Sequence, residues 1–153
     1  MISKKTKYGL QALQLLGAEY GNGPLLIADL SQRARIPKKF LEYILLQLKN
    51  AGVLQSRKGK GGGYALAKPP GEISIGRAIR ILEGPLAPVA CVSESAYQRC
   101  TECDDEATCG IRLVMKDVRD AMTEILDNTS LSDMQKRSED EARKRQKVVD
   151  FQI

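Results

Sequence analysis

The residues with the most chemistry to offer are four cysteines in one short stretch: Cys91, Cys100, Cys103 and Cys109, spaced C-x8-C-x2-C-x5-C. Thiolates this close in sequence can converge on one metal centre, and sulfur donors suit iron–sulfur clusters and zinc. Structural zinc sites usually show two tight pairs, and only Cys100 and Cys103 form one here. A thiol/disulfide switch is the third chemistry open to the same set. Glu94, Glu102, Asp104, Asp105 and Glu106 crowd the stretch with negative charge. Such charge keeps thiols protonated, which counts against bare reactive thiols, and the carboxylates are also spare oxygen donors. The chain has no histidine, so catalysis by a histidine base and metal ligation by imidazole are excluded. With no cofactor fingerprint and no paired-carboxylate pocket to be found, the expectation is not an enzyme and no small-molecule substrate.

A second set of residues points to a polyanion. Residues 1–68 hold 12 Lys/Arg against 3 Asp/Glu, a net +9, whereas residues 69–153 hold 12 against 16, a net −4. The whole positive excess therefore sits on one half, which marks that half as the DNA face. Within it, Pro37 to Tyr64 reads as a helix, a glycine stop at Gly52, and two strands around the basic turn Gly59-Lys60-Gly61-Gly62-Gly63. Phe40, Leu41, Ile44, Leu45 and Leu48 fall on the rhythm of one buried helix face. The expected DNA contacts are Lys38, Lys39 and Glu42 on that helix and Arg57, Lys58, Lys60, Gly61 and Gly62 on the hairpin. Lys5, Lys7 and Tyr8 at the basic start of the first helix join them. Lysine and arginine on the wing suit phosphates or a narrow minor groove, and glycines let the backbone approach closely. The glycine-rich turn runs into strand-like Tyr64-Ala65-Leu66 rather than a helix, so it is not a nucleotide phosphate loop.

The elements that must position these residues follow in order. Lys4 to Tyr20 predicts a first helix, Ile27 to Ala34 a second, and Arg35-Ile36-Pro37 the turn into the third. Ser74 caps a further helix from Ile75 to Glu83. Helix, short helix, turn, helix and hairpin is the winged helix-turn-helix order, so the fold class is mainly α with a small β-hairpin wing. After the cysteines, Ile111, Met115, Val118, Met122 and Ile125 recur at spacings of 4, 3, 4 and 3, the seam of a coiled coil. That stripe predicts a homodimer interface, and a two-fold dimer sets two reading helices about one DNA turn apart. The organisation expected is a DNA-binding domain at 1–84, a cysteine-rich sensor loop at 85–110, a dimerisation helix region at 111–134 and a charged, frayed tail at 135–153. No apolar run approaches the ~18 residues of a membrane span, and no apolar leader opens the chain; the expected location is the cytoplasm.

Three segments carry a resemblance: Phe40-Leu41-Glu42, Leu48-Lys49-Asn50-Ala51-Gly52-Val53-Leu54, and Lys58-Gly59-Lys60-Gly61-Gly62-Gly63-Tyr64. Over roughly residues 3–132 the chain resembles the dimeric winged-helix regulators that include the iron–sulfur cluster regulator (IscR), the nitric-oxide-sensing repressor (NsrR) and the cysteine metabolism repressor (CymR). The resemblance implies a homodimer held by the long helix after the cysteines and binding to a partly palindromic double-stranded operator, as a repressor for example. It places Glu42 where the cluster regulator tunes operator choice, and Lys58 in place of a groove-inserting arginine. Cys91, Cys103 and Cys109 match the three cysteines of cluster-sensing members. Arg112 stands where the cluster regulator has its histidine ligand, and Lys7 where the nitric oxide sensor has an aspartate. Cys100 is then the natural fourth ligand, implying an all-cysteine iron–sulfur cluster of two or four irons, with zinc as the alternative. Outside this family, the same residues suit an electron carrier, or a DNA-binding protein that needs no ligand.

Overall fold

The structure, a computed structural model, describes residues 2–151. Its winged body is built around α1 (Lys4–Ala18), which packs against α2 (Ile27–Ala34), α3 (Lys38–Asn50), α4 (Ile75–Leu82) and the start of α6 (Leu131–Asp150). Ser3 caps α1 by accepting from the Thr6 N–H, and Ser74 caps α4 by accepting from the Arg77 N–H. Arg35 takes a left-handed conformation to end α2 and turn the chain into α3. Leu13, Leu30, Leu41, Ile44, Leu45, Leu48 and Ile79 are fully buried and form the centre of the core.

Strands β1 (Leu54–Arg57) and β2 (Gly63–Leu66) pair antiparallel, with Leu54 opposite Leu66 and Arg57 opposite Gly63. The hairpin is tied to the body by Leu25, whose N–H and carbonyl both bond to Tyr64 at 2.8 Å. Gly63 makes this possible. Its φ is +134°, and a Cβ there would lie 2.1 Å from the Leu25 carbonyl oxygen, so a side chain would break the tie.

Two expectations need correcting. Phe40 is not on the buried face of α3 but 58% exposed. The buried arc is Leu41, Ile44, Leu45 and Leu48, and Phe40 lies about 100° around the helix from Leu41, outside it. Residues 135–150, expected as part of a charged, frayed tail, also continue as a helix, and residues 152 and 153 of that tail lie outside the described residues. The helix after the cysteines, α5 (Gly110–Asp127), stops at Asn128, and Ser130 starts α6 with a capping box closed by Asp133. Leu131 is fully buried in the winged body, and the Gln135 amide donates to the Gln14 carbonyl of α1. Beyond Gln135 the helix is solvated, as its composition requires, but it remains a helix. Good helix formers and surface pairs such as Lys144–Glu141 at 2.7 Å support it.

The end of α4 is fastened to the start of α1. The Thr6 hydroxyl and the Ser3 N–H both donate to Oε2 of Glu83. The hydroxyls of Ser3 and Thr6 and then the Ser3 N–H hold the Glu83 carboxyl at about 2, against an ordinary 4.5. A carboxyl depressed in this way stabilises the fold above its unfolded pKa, and the contribution is lost as pH falls from about 4.5 towards 2. Melting temperature should therefore drop across that interval in the wild type. In Glu83→Gln this part of the drop is absent, which thermal unfolding in a pH series would read.

Candidate functional site

Two surfaces bring together the residues singled out from the sequence. On the first, Lys38 and Lys39 open α3 and are exposed, with Glu42 exposed one turn on. Lys5 of α1 reaches the same surface, its ammonium 5.8 Å from the centre of the Tyr43 ring. Arg57, Lys58 and Lys60 are exposed at the end and tip of the hairpin, with Gly61 at its apex. Gly62 has another task. Its N–H donates to Gly59, and a Cβ would lie 2.3 Å from the Arg57 carbonyl, so it closes the turn from within. Lys7 and Tyr8 are not gathered with this set; they line a separate hollow with Lys4, whose ammonium sits over the Tyr8 ring.

The second surface is a cavity of about 770 Å³ between the 3₁₀ turn Ala90–Val92 and the start of α5. Cys91, Cys100, Cys103 and Cys109 all line it, beside Glu106 and Arg112. Cys109 is the residue from which α5 begins, and backbone N–H groups of Arg112 and Ile111 draw its thiol below the ordinary range. Burial, and then the neighbouring Cys109, push the Cys103 thiol the other way. Cys103 and Cys109 thus line the same cavity with their thiols shifted in opposite directions. Among the described residues no three Cys, Asp or Glu side chains stand close enough to hold a metal ion in this arrangement. The donor set nonetheless fits a thiophilic centre, since the cavity presents four sulfurs and no imidazole. The carboxylates are less available as ligands than their number suggests. Glu106 accepts from the Tyr97 hydroxyl at 2.7 Å, and Asp105 caps its own turn through the Ala107 N–H and the Thr108 hydroxyl.

Sequence reasoning did not find the residues that tie this cavity to α5. Arg112 Nε donates to the Cys91 carbonyl at 3.2 Å, and Arg119 donates to the Val92 carbonyl at 2.6 Å. The Arg119 side chain is only 14% exposed, with Asp120 and Glu94 as its acidic neighbours. Both arginines read in the sequence as flanks of the dimer stripe; partners 21 and 27 residues away leave no local signal. At its far end α5 is held by Arg80, which donates two hydrogen bonds to Asp127 at 2.5 and 2.9 Å.

No side chain of α5 is buried in the single chain. Ile111, Val118 and Ile125 of the expected seam are exposed, Val114 is exposed beside them, and Met115 and Met122 are half-buried at its edge. The apolar stripe is therefore present and uncovered. Among the described residues no helix is long and apolar enough to cross a membrane.

The comparisons with known proteins agree with this architecture. The Rrf2 family, described as iron-dependent transcriptional regulators, matches residues 2–137. An rrf2-like HTH-type transcriptional regulator of Rhodobacter capsulatus is 44% identical over 88% of this chain and 91% of its own length. The solved structure of CymR, the global cysteine regulator of B. subtilis, superposes with a TM-score of 0.75 at 34% identity, covering 90% of this chain and 97% of that one. The IscR of T. potens superposes at 0.71 with 30% identity, covering 90% and 88%. The winged helix fold and a match over most of the chain place this protein in the Rrf2 family of DNA-binding transcriptional regulators, which are not enzymes.

Proposed function

We propose that this regulator acts as a homodimer on a partly palindromic operator, and that Cys91, Cys100, Cys103 and Cys109 hold an iron–sulfur cluster whose presence sets operator affinity. The observation that carries this reading is the convergence of all four thiols on one cavity at the root of α5. The family's description as iron-dependent regulators supports it. When bound, the cluster supplies an all-sulfur iron centre whose persistence depends on iron supply and oxidants.

The chain's own residues supply the coupling. Arg112 and Arg119 grip the carbonyls of Cys91 and Val92, so a rearrangement of the cysteine loop pulls on α5 directly. The Arg80–Asp127 pair holds the other end of α5 to α4, inside the winged body. Tilting α5 between these points would alter the spacing of two reading helices across a dimer, and both must dock for tight binding. Lys38, Lys39 and Glu42 would face the major groove, with Arg57, Lys58 and Lys60 on phosphates or the minor groove. Gly61 gives the wing its close approach. Lys5 would join that surface, while Lys7 and Tyr8, in their separate hollow, would meet phosphates flanking it.

A second reading keeps the DNA-binding role and replaces the cluster by a Cys103–Cys109 disulfide switch. Both thiols line the one cavity at the start of α5, which favours it. The global cysteine regulator among the solved relatives is consistent with a sulfur-linked signal. Zinc on the same cysteines is the remaining alternative.

Iron, sulfide and zinc should be measured with a visible spectrum on protein purified without oxygen. The expected result is iron with matching sulfide and charge-transfer bands. Cys103→Ala should then lose cluster and change operator affinity together, as read by anaerobic fluorescence anisotropy. Zinc, or no metal with a reversible Cys103–Cys109 disulfide, would overturn the cluster and leave the DNA-binding role standing. For the dimer, Ile125→Asp places a charge in the uncovered stripe at a site 60% exposed in the single chain, so the fold itself should survive. Sedimentation should show a monomer, and operator affinity should fall by at least about a hundredfold through loss of the second half-site. A dimer with unchanged affinity would rule that interface out.

A further inference from the structure

The outward face of α3 carries more than charge. Opposite the buried arc of Leu41, Ile44, Leu45 and Leu48 stand Lys39, Tyr43 and Asn50, with Phe40 at the flank. Tyr43 is 56% exposed and Phe40 58%. Two aromatic rings, with Leu46 beside them 48% exposed, thus stand together in solvent on one face of α3, an apolar patch that a partner surface could cover. Glu42, the residue that charge alone brings forward, lies nearer the side of the helix, whereas Tyr43 is close to its crest.

Which partner covers these rings follows from what surrounds them. Lys38 and Lys39 are exposed on the same helix, and Lys5 comes from α1 to stand over the Tyr43 ring at 5.8 Å. A cation over one ring and further lysines on the same helix fit a polyanion that also presents apolar groups. The DNA major groove presents one such group, the C5-methyl of thymine. The Lys5 ammonium also restrains the Tyr43 ring, so the ring arrives with less freedom left to lose.

We propose that Tyr43 and Phe40 read thymine methyl groups in each operator half-site, with Lys5 as the positioning residue for the Tyr43 ring. This rests on the reading of α3 as the helix that enters the major groove, and adds to it the class of base that the helix selects. The contact needs the ring and not the phenol hydroxyl.

The test begins by enriching bound duplexes from a random-sequence pool with the full-length protein. The enriched duplex is then resynthesised with deoxyuridine replacing thymine one position at a time, which keeps base pairing and removes only the methyl. Wild-type affinity should fall about three- to five-fold at one or two thymines per half-site, the amount expected for one lost methyl contact. Tyr43→Ala should bind the thymine duplex more weakly and show no deoxyuridine penalty at the position it reads. Tyr43→Phe should keep the penalty, and Lys5→Met should reduce it while circular dichroism stays unchanged. If wild type is indifferent to deoxyuridine everywhere, or if Tyr43→Ala and Phe40→Ala keep the full penalty, the proposal is wrong and the exposed rings serve a protein partner instead. Failure to enrich any sequence would remove the DNA-reading role of α3, and the proposal with it.

Discussion

The direction of α5 is set from its two ends, because no side chain along its length is buried in the winged body. At the C-terminal end the chain returns to the body through a short backbone bridge. The Ile75 N–H donates to Thr129 at 2.9 Å and the Leu131 N–H to Ile73 at 2.8 Å. Beside it the Arg80 guanidinium forks onto Asp127. That pair is about a third exposed, so its value lies in geometry more than in energy. Gly76 is what lets it form, since a Cβ there would lie 2.0 Å from Asp127 Oδ1. Over its N-terminal half the grip is by Arg112, near the start, and Arg119, mid-helix, on the carbonyls of Cys91 and Val92. One end is thus anchored to a packed core and the other to a loop of sulfur donors, which makes the second end the adjustable one.

The surface of α3 and the wing that we propose reads DNA depends on the opposite property, rigidity. α3 presents its outward face because four fully buried side chains lock the other face into the core. The wing cannot swing freely, because Leu25 and Tyr64 exchange two hydrogen bonds across the closest approach at Gly63. Lys5 on α1 and the hairpin cations are therefore carried at fixed offsets from α3 by one core. A shift at α5 would move this whole unit as a body instead of deforming it.

The cavity between the two regions shows how the same sequence stretch holds opposed thiol chemistries. Backbone N–H groups at the start of α5 draw the Cys109 thiol below its ordinary range, while burial and then the neighbouring Cys109, with Cys100 and Glu106, push that of Cys103 up. Two of the acidic residues of this loop, Asp105 and Glu106, serve its shape through their own hydrogen bonds. Glu102 and Asp104 line the cavity with the four sulfurs and the Arg112 side chain.

Local chemistry was enough to read the helices of the winged body, the cap at Ser74, the glycine-rich hairpin and the segregation of charge. Each of these depends on residues within a few positions of one another, through periodicity, capping or turn preference. The family resemblance came from the same local segments, and the match over residues 2–137 agrees with it. Phe40 was misjudged because apolar spacing does not say how wide the buried arc is, and Tyr43 was overlooked because a helical aromatic ordinarily reads as core. The start of α6 at Ser130 did leave a local trace, the Ser-x-x-Asp box, but the burial of Leu131 against α1 did not. The meeting of four cysteines in one cavity, and the hold of Arg119 on Val92, join residues far apart along a path without periodic pattern. Sequence alone determined the elements and their chemistry; the tertiary structure decided which of them touch, because contacts between distant residues are selected by packing of the whole chain and leave no local signature.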